Sequence, residues 1–110
     1  MNEKRAPLQP LRIPAGWSVV YHDLRECDPD RGREDEFRED LLQLVHAASG
    51  YLLDVGWYPQ GDVEGGEFMV CVVRGDFEDG RVHEFRSRDR LRIVAEVEEL
   101  LAKYGQEHGT

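Results

Sequence analysis

The chain has 110 residues, 40% of them hydrophobic and 34% charged, with 23 acidic against 14 basic side chains and a net charge of −9. That length supports one hydrophobic core and hence one domain, 1–110. No apolar run approaches the roughly 20 residues that cross a bilayer, and the start, Glu3-Lys4-Arg5 followed by Pro7, Pro10 and Pro14, lacks the apolar core of a signal peptide, so a cytoplasmic protein without a membrane partner is expected, its Cys27 and Cys71 unpaired thiols.

Residues 1–14 read as an irregular lead-in because of their prolines. In the stretch from Trp17 to Leu24 odd and even positions alternate, the period-two pattern of a strand. Cys27 to Glu36 is a polar loop with Asp28-Pro29-Asp30 and Gly32 as turn chemistry. Phe37 to Ala48 admits two readings. Phe37, Leu41, Leu44 and Val45 fall at helical spacing behind an acidic N-terminus, whereas Leu42, Leu44 and the turn residues Ala48-Ser49-Gly50 fit a hairpin. The hairpin is preferred, and it pairs Leu41–Ala47 with Tyr51–Tyr58.

Tyr51-Leu52-Leu53-Asp54-Val55-Gly56-Trp57-Tyr58-Pro59 is the most β-prone run and should be a central strand, interrupted at Gly56 by a bulge or a close backbone approach and ended by Pro59. Pro59 to Gly66 is a loop. Phe68 to Val73 is almost continuously apolar, as in a strand buried on both faces. Gly75 to Gly80 makes the next connection, and Arg81 to Phe85 alternates like a strand with Val82, joined by Phe85, on its buried face. The last element is a helix over Arg88–Tyr104 with Ser87 as N-cap and Asp89 in the first turn; its apolar stripe is Leu91, Val94, Val97, Leu101 and Tyr104, joined by Ile93 and Leu100, and Gly105 closes it. Glu96, Glu98, Glu99 and Lys103 form its solvated side, and 105–110 is a frayed tail. These elements give an α+β fold class, an antiparallel sheet of about four to five strands packed against a C-terminal α-helix.

The acidity is concentrated. Asp23 to Asp79 holds sixteen acidic residues against five arginines, and Glu39 to Val73 holds no lysine or arginine at all. Such a field repels phosphate backbones and attracts cationic proteins, so the expected partner is a basic protein and not a nucleic acid. Trp57 and Tyr58 are neighbours on a strand and must face opposite sides, one toward the core and one outward. An outward aromatic beside Asp54, Asp62, Glu64 and Glu67 has the make-up of an interface anchor with an acidic rim, and Asp54, Trp57, Tyr58, Asp62, Glu64 and Glu67 are the candidate partner-binding residues.

Chemistry is harder to find. His22, His46, His83 and His108 are scattered with no zinc spacing, Asp28-x-Asp30-x-Gly32 is a solvated turn and not a calcium loop, and no phosphate-cradling glycine motif or nucleophile elbow occurs. Cys71 lies inside an apolar strand, where burial keeps a thiol protonated and inert. No catalytic residue, metal or cofactor is expected.

Pro14-Ala15-Gly16-Trp17 ahead of a strand with Tyr21, Glu39-Asp40-Leu41-Leu42, Leu52 to Pro59, Gly66-Glu67-Phe68 and Phe85-x-Ser87-Arg88 before a helix together resemble a family of small bacterial immunity proteins of polymorphic toxin systems. The resemblance spans Pro14 to Leu101. It implies a protein that neutralises a cognate toxin domain by tight binding, without catalysis. The alternative is an accessory domain that binds a small ligand or another protein.

Overall fold

The alternating stretches become an antiparallel meander in a computed structural model that describes residues 5–75 and 80–106. Strands β1 (Trp17–His22), β2 (Leu42–His46), β3 (Tyr51–Tyr58), β4 (Glu67–Arg74) and β5 (Arg81–Ser87) lie side by side in sequence order, and helix α1 (Arg90–Gln106) follows. The hairpin reading holds: β2 pairs with β3 from Leu42 opposite Val55 to His46 opposite Tyr51. The turn between them needs Gly50, whose φ of 83° is strained for a side-chain-bearing residue.

Period-two alternation sorts the sheet into two faces. Leu42, Leu44, Leu53, Val55, Trp57, Phe68, Val70 and Val72 are buried on one face, where α1 covers them with Ile93, Val97, Leu100, Leu101 and Tyr104. Trp57 is fully enclosed. Its ring meets Phe37 and Phe68 edge-on, each at 4.8 Å between centroids, and its Nε1 donates to the Asp62 carbonyl at 3.0 Å. Edge-to-face pairs of this kind add roughly 0.5–1.5 kcal/mol each beyond the area they bury. At the other end of the sheet Trp17 donates from Nε1 to the Leu101 carbonyl at 2.9 Å, tying β1 to the helix.

Several expectations about the last two elements are corrected. Val82 is 48% exposed, not buried. The ladder slips by one residue between Val72 opposite His83 and Val73 opposite Arg81, so Val82 is the extra residue of a bulge, and His83 and Phe85 face the helix instead. Leu91 is 64% exposed, because the helix starts at Arg90 and its stripe is set by Ile93. The cap is Asp89 and not Ser87: Asp89 Oδ1 accepts from the backbone N–H of Leu91 at 3.0 Å, while the Ser87 hydroxyl accepts from the N–H of Asp89. Glu96 is not a free surface charge but bonds His83 at 2.9 Å. Gly105 lies within the helix and leaves room for the Trp17 indole, whose Nε1 would sit 2.8 Å from an added Cβ. The 75–80 connection and the tail lie partly outside the described residues, at 76–79 and 107–110.

Of the lead-in, residues 5–14 are irregular but anchored, and 1–4 lie outside the described residues. Gln9 N–H donates to the Leu24 carbonyl and Glu26 N–H to the Pro7 carbonyl, both at 2.8 Å. Arg5 reaches Asp23 at 2.9 Å and Glu36 at 3.1 Å, and Arg25 bonds Asp23 at 2.6 Å. Arg38 pairs with Asp23 as well. Glu36, on a single 3-10 turn at Glu34–Glu36, is only 6% exposed and is held by these arginines.

Candidate functional site

With α1 on one face, the other face of the sheet carries no helix. Register gives its content. Tyr21 on β1 is opposite Gln43 on β2, Gln43 is opposite Asp54 on β3, and Asp54 is opposite Cys71 on β4. One row along the sheet, Gly56 lies opposite Met69, and then Tyr58 opposite Glu67. Val45 and Leu52 complete the apolar part, both half-buried. No lysine or arginine stands on β2 or β3, and β4 has none before Arg74, so among the strands positive charge reaches this face from β5.

Asp54 occupies its middle. Its Oδ1 accepts from the Tyr21 hydroxyl at 3.2 Å and from Gln43 Nε2 at 3.4 Å, and Oδ2 makes no hydrogen bond among the described residues. Burial pushes its carboxyl above the usual aspartate range; the two hydrogen bonds work against that rise and the nearby Asp40 charge adds to it. Tyr21 is pushed far up by burial and then by Asp54 and Asp40, and Tyr58 is raised by burial, Asp54, Glu39 and Asp40. All of these shifts point the same way. The centre of the face is partly desolvated and negative, with no cation among the described residues paired to it.

Gly56 makes this centre possible. Segment 38–41 runs against β3, with Trp57 N–H donating to the Arg38 carbonyl at 2.8 Å and Leu41 N–H to the Val55 carbonyl at 3.0 Å. Between those bonds the Glu39 carbonyl oxygen presses onto Gly56, where an added Cβ would meet it at 2.1 Å and the Tyr58 ring at 2.9 Å. The close backbone approach expected at Gly56 is therefore real, and it seats Tyr58 beside the Glu39 carbonyl, toward which its hydroxyl points at 3.4 Å.

The six sequence candidates separate into three places. Asp54, Tyr58 and Glu67 share the open face. Trp57 does not: it is the core member of the Trp57–Tyr58 pair, fully buried, and contacts no partner from the native surface. Asp62 and Glu64 belong to the loop after β3, which folds toward the helix side because Val63 enters the core. Asp62 Oδ1 accepts from Gly65 N–H at 2.8 Å, and Glu64 pairs with Arg31 at 2.7 Å beside a cavity of about 250 Å³. Glu67 is also partly neutralised, by Arg86 at 3.5 Å, and Arg86 and Arg81 both pair with Glu84 at 2.8 Å. Charge on the face is thus balanced at its β5 edge and unbalanced around Asp54, Glu39 and Asp40, none of which has an ion-pair partner among the described residues. Tyr21 and Gln43 were not visible as site residues in the sequence, since only the cross-strand register brings them to Asp54.

Cys71 is buried and its thiol is pushed up by that burial, as is the half-buried Cys27. Among the described residues no three His, Cys, Asp or Glu side chains gather as metal ligands, and no helix is long and apolar enough to cross a membrane.

Comparison with known proteins gives a partial likeness. The chain is 39% identical over 77 residues to the threonine–tRNA ligase of Mycolicibacterium smegmatis and 36% identical over 77 residues to that of Mycolicibacterium gilvum, in each case 69% of this chain. It spans only about a tenth of the length of these curated relatives. No protein-family model matches the chain, and no solved structure matches it significantly.

Proposed function

We infer that this protein is a non-catalytic binding domain of the immunity type, which neutralises a basic toxin domain by covering it with the open face of its sheet. The observation that carries this reading is the charge at Asp54, Glu39 and Asp40, uncompensated among the described residues, in the middle of a sheet face with no lysine or arginine on β2 or β3. A half-buried carboxylate without a cation costs stability in the free protein, and a cationic partner would relieve that cost on binding. Val45, Leu52, Met69 and Tyr58 would supply the apolar contact, and long-range attraction would speed the encounter.

The test uses Glu39→Lys/Asp40→Lys, a charge reversal at two exposed positions that leaves the core untouched. The wild-type chain and this variant serve as baits in a lysate of the source organism, and each captured protein is expressed alone and with the chain. The reading expects a basic domain whose expression arrests growth, rescue by the wild-type chain and at least tenfold weaker binding by the variant. Equal rescue by the variant, or a captured protein that is harmless when expressed alone, would overturn it.

The likeness to threonine–tRNA ligases favours a second reading, in which the chain shares a segment of about a tenth of such an enzyme's length and associates with such an enzyme. Mixing the purified chain with the ligase of its source organism tests this directly. A defined complex on size exclusion supports the second reading, and two separate peaks at 50 µM of each dispose of it.

A further inference from the structure

The chemistry at the middle of the open face is more specific than negative charge, and its use by a partner rests on the reading of that face as a docking surface. Four oxygen groups converge there: the Asp54 carboxylate, the Tyr21 and Tyr58 hydroxyls and the Glu39 backbone carbonyl. Asp54 and Tyr21 are 3.2 Å apart and Tyr58 and Glu39 are 3.4 Å apart; Asp54, Gly56 and Tyr58 are alternate residues on one face of β3, with the Glu39 oxygen and the Tyr58 ring against Gly56. Gln43 is the sole side-chain amide donor in the row, and it spends its Nε2 on Asp54. A point cation such as an ammonium offers three donors and holds its water tightly. A guanidinium offers five donors in one plane, is weakly hydrated, and stacks on an aromatic ring while it bonds a carboxylate.

We propose that the notch formed by Asp54, Tyr21, Tyr58 and the Glu39 carbonyl over Gly56 receives an arginine side chain of the protein partner. The guanidinium bonds Asp54 through the open Oδ2, lies against the Tyr58 ring and donates to the Glu39 carbonyl. Val45, Leu52 and Met69 flank it and exclude water as the rest of the partner surface closes. Arginine is the residue for which this mixture of charge, ring and carbonyl is suited; a lysine satisfies the charge alone.

The test needs no natural partner. Uniformly 15N-labelled protein is titrated with N-acetyl-arginine amide, N-acetyl-lysine amide and N-acetyl-citrulline amide, the last being the neutral isostere of arginine, in 20 mM salt. The arginine probe should give saturable amide shifts centred on Gln43, Asp54, Gly56 and Tyr58, with a dissociation constant on the order of 10 mM for a single side chain. Lysine should bind several-fold more weakly and citrulline should leave these amides in place. Asp54→Asn, which keeps the shape and loses the charge, should abolish saturation with arginine. The inference is overturned if arginine and lysine give equal shifts, if the shifts scatter over Asp62, Glu64 and the rest of the acidic surface, or if Asp54→Asn titrates like the wild type. A flat titration removes the arginine notch and leaves the docking face to the growth-rescue assay, while a saturable titration with failed rescue removes the inhibitor reading alone.

Discussion

Gly56→Ala should cost this fold far more than a methyl group ordinarily does in a strand. The new Cβ would sit 2.1 Å from the Glu39 carbonyl oxygen and 2.9 Å from the carbon of that same group, against backbone and not a movable side-chain tip. To restore van der Waals distance, segment 38–41 must withdraw from β3 by more than an ångström. That withdrawal breaks or stretches the bonds from Trp57 N–H to the Arg38 carbonyl and from Leu41 N–H to the Val55 carbonyl. Two net backbone hydrogen bonds are worth about 2 kcal/mol, and the residual crowding adds about 1–3 kcal/mol. The expected loss is about 3–5 kcal/mol, a large part of the roughly 5–15 kcal/mol that holds a domain of this size. In a thermal melt followed by circular dichroism it lowers Tm by at least about 12 °C, taking about 4 °C per kcal/mol. Gly50→Ala is the internal control: nothing lies within 4 Å of its added Cβ, so only the positive φ of 83° is at stake, which costs about 1–2 kcal/mol. A Gly56→Ala melt no lower than that of Gly50→Ala would refute the claim that the Glu39 carbonyl is held against β3.

Three other perturbations probe separate parts of the structure. Arg88 donates to the Val63 carbonyl at 2.8 Å and to the Gly66 carbonyl, with its guanidinium 5.4 Å from the centroid of Trp57; Arg88→Met should therefore lose about 1.5–3 kcal/mol in urea unfolding and speed proteolysis within 59–66, and unchanged cleavage there would show that the loop is held without Arg88. Glu36→Gln should cost about 1–3 kcal/mol and keep that cost in 0.5 M salt, because the carboxylate is buried, whereas Glu64→Gln at the exposed Arg31 pair should cost less than about 1 kcal/mol and nothing in salt; a Glu36 effect that vanishes with salt would place the group at the surface. Asp54 has a folded pKa above its ordinary value of 3.8, so between the two values the native state holds more protons than the unfolded chain and stability falls as pH rises through that window. Asp54→Asn removes this loss: its melting temperature relative to wild type should climb from pH 3.8 upward and level off once Asp54 is ionised, and a difference independent of pH would contradict the burial of Asp54.

Local chemistry was enough for most of the fold. Alternation from Trp17 and over Tyr51–Tyr58, the apolar run Phe68–Val73, the turn at Ser49-Gly50 and the amphipathic end of the chain determine four strands and a helix, because each signal acts within a few residues of itself. The same locality explains the close approach expected at Gly56 and the opposite directions of Trp57 and Tyr58. Register is different in kind. His83 and Phe85 meet the helix because they lie opposite Val72 and Val70 of the core face, and Val82, left over in a one-residue slip of the ladder, points away; that pairing is chosen by the fit of two strands and not by one. Leu91 is apolar and exposed for a different reason, that the buried stripe of the helix is set by Ile93. Charge behaved likewise: composition determined that the middle of the chain is acidic, but pairing of Glu64 with Arg31 and of Glu67 with Arg86 was decided by tertiary distances. Ion pairs and cross-strand rows join residues 19 to 33 positions apart, so only the folded sheet could separate neutralised acids from the uncompensated Asp54 and bring Tyr21 beside it.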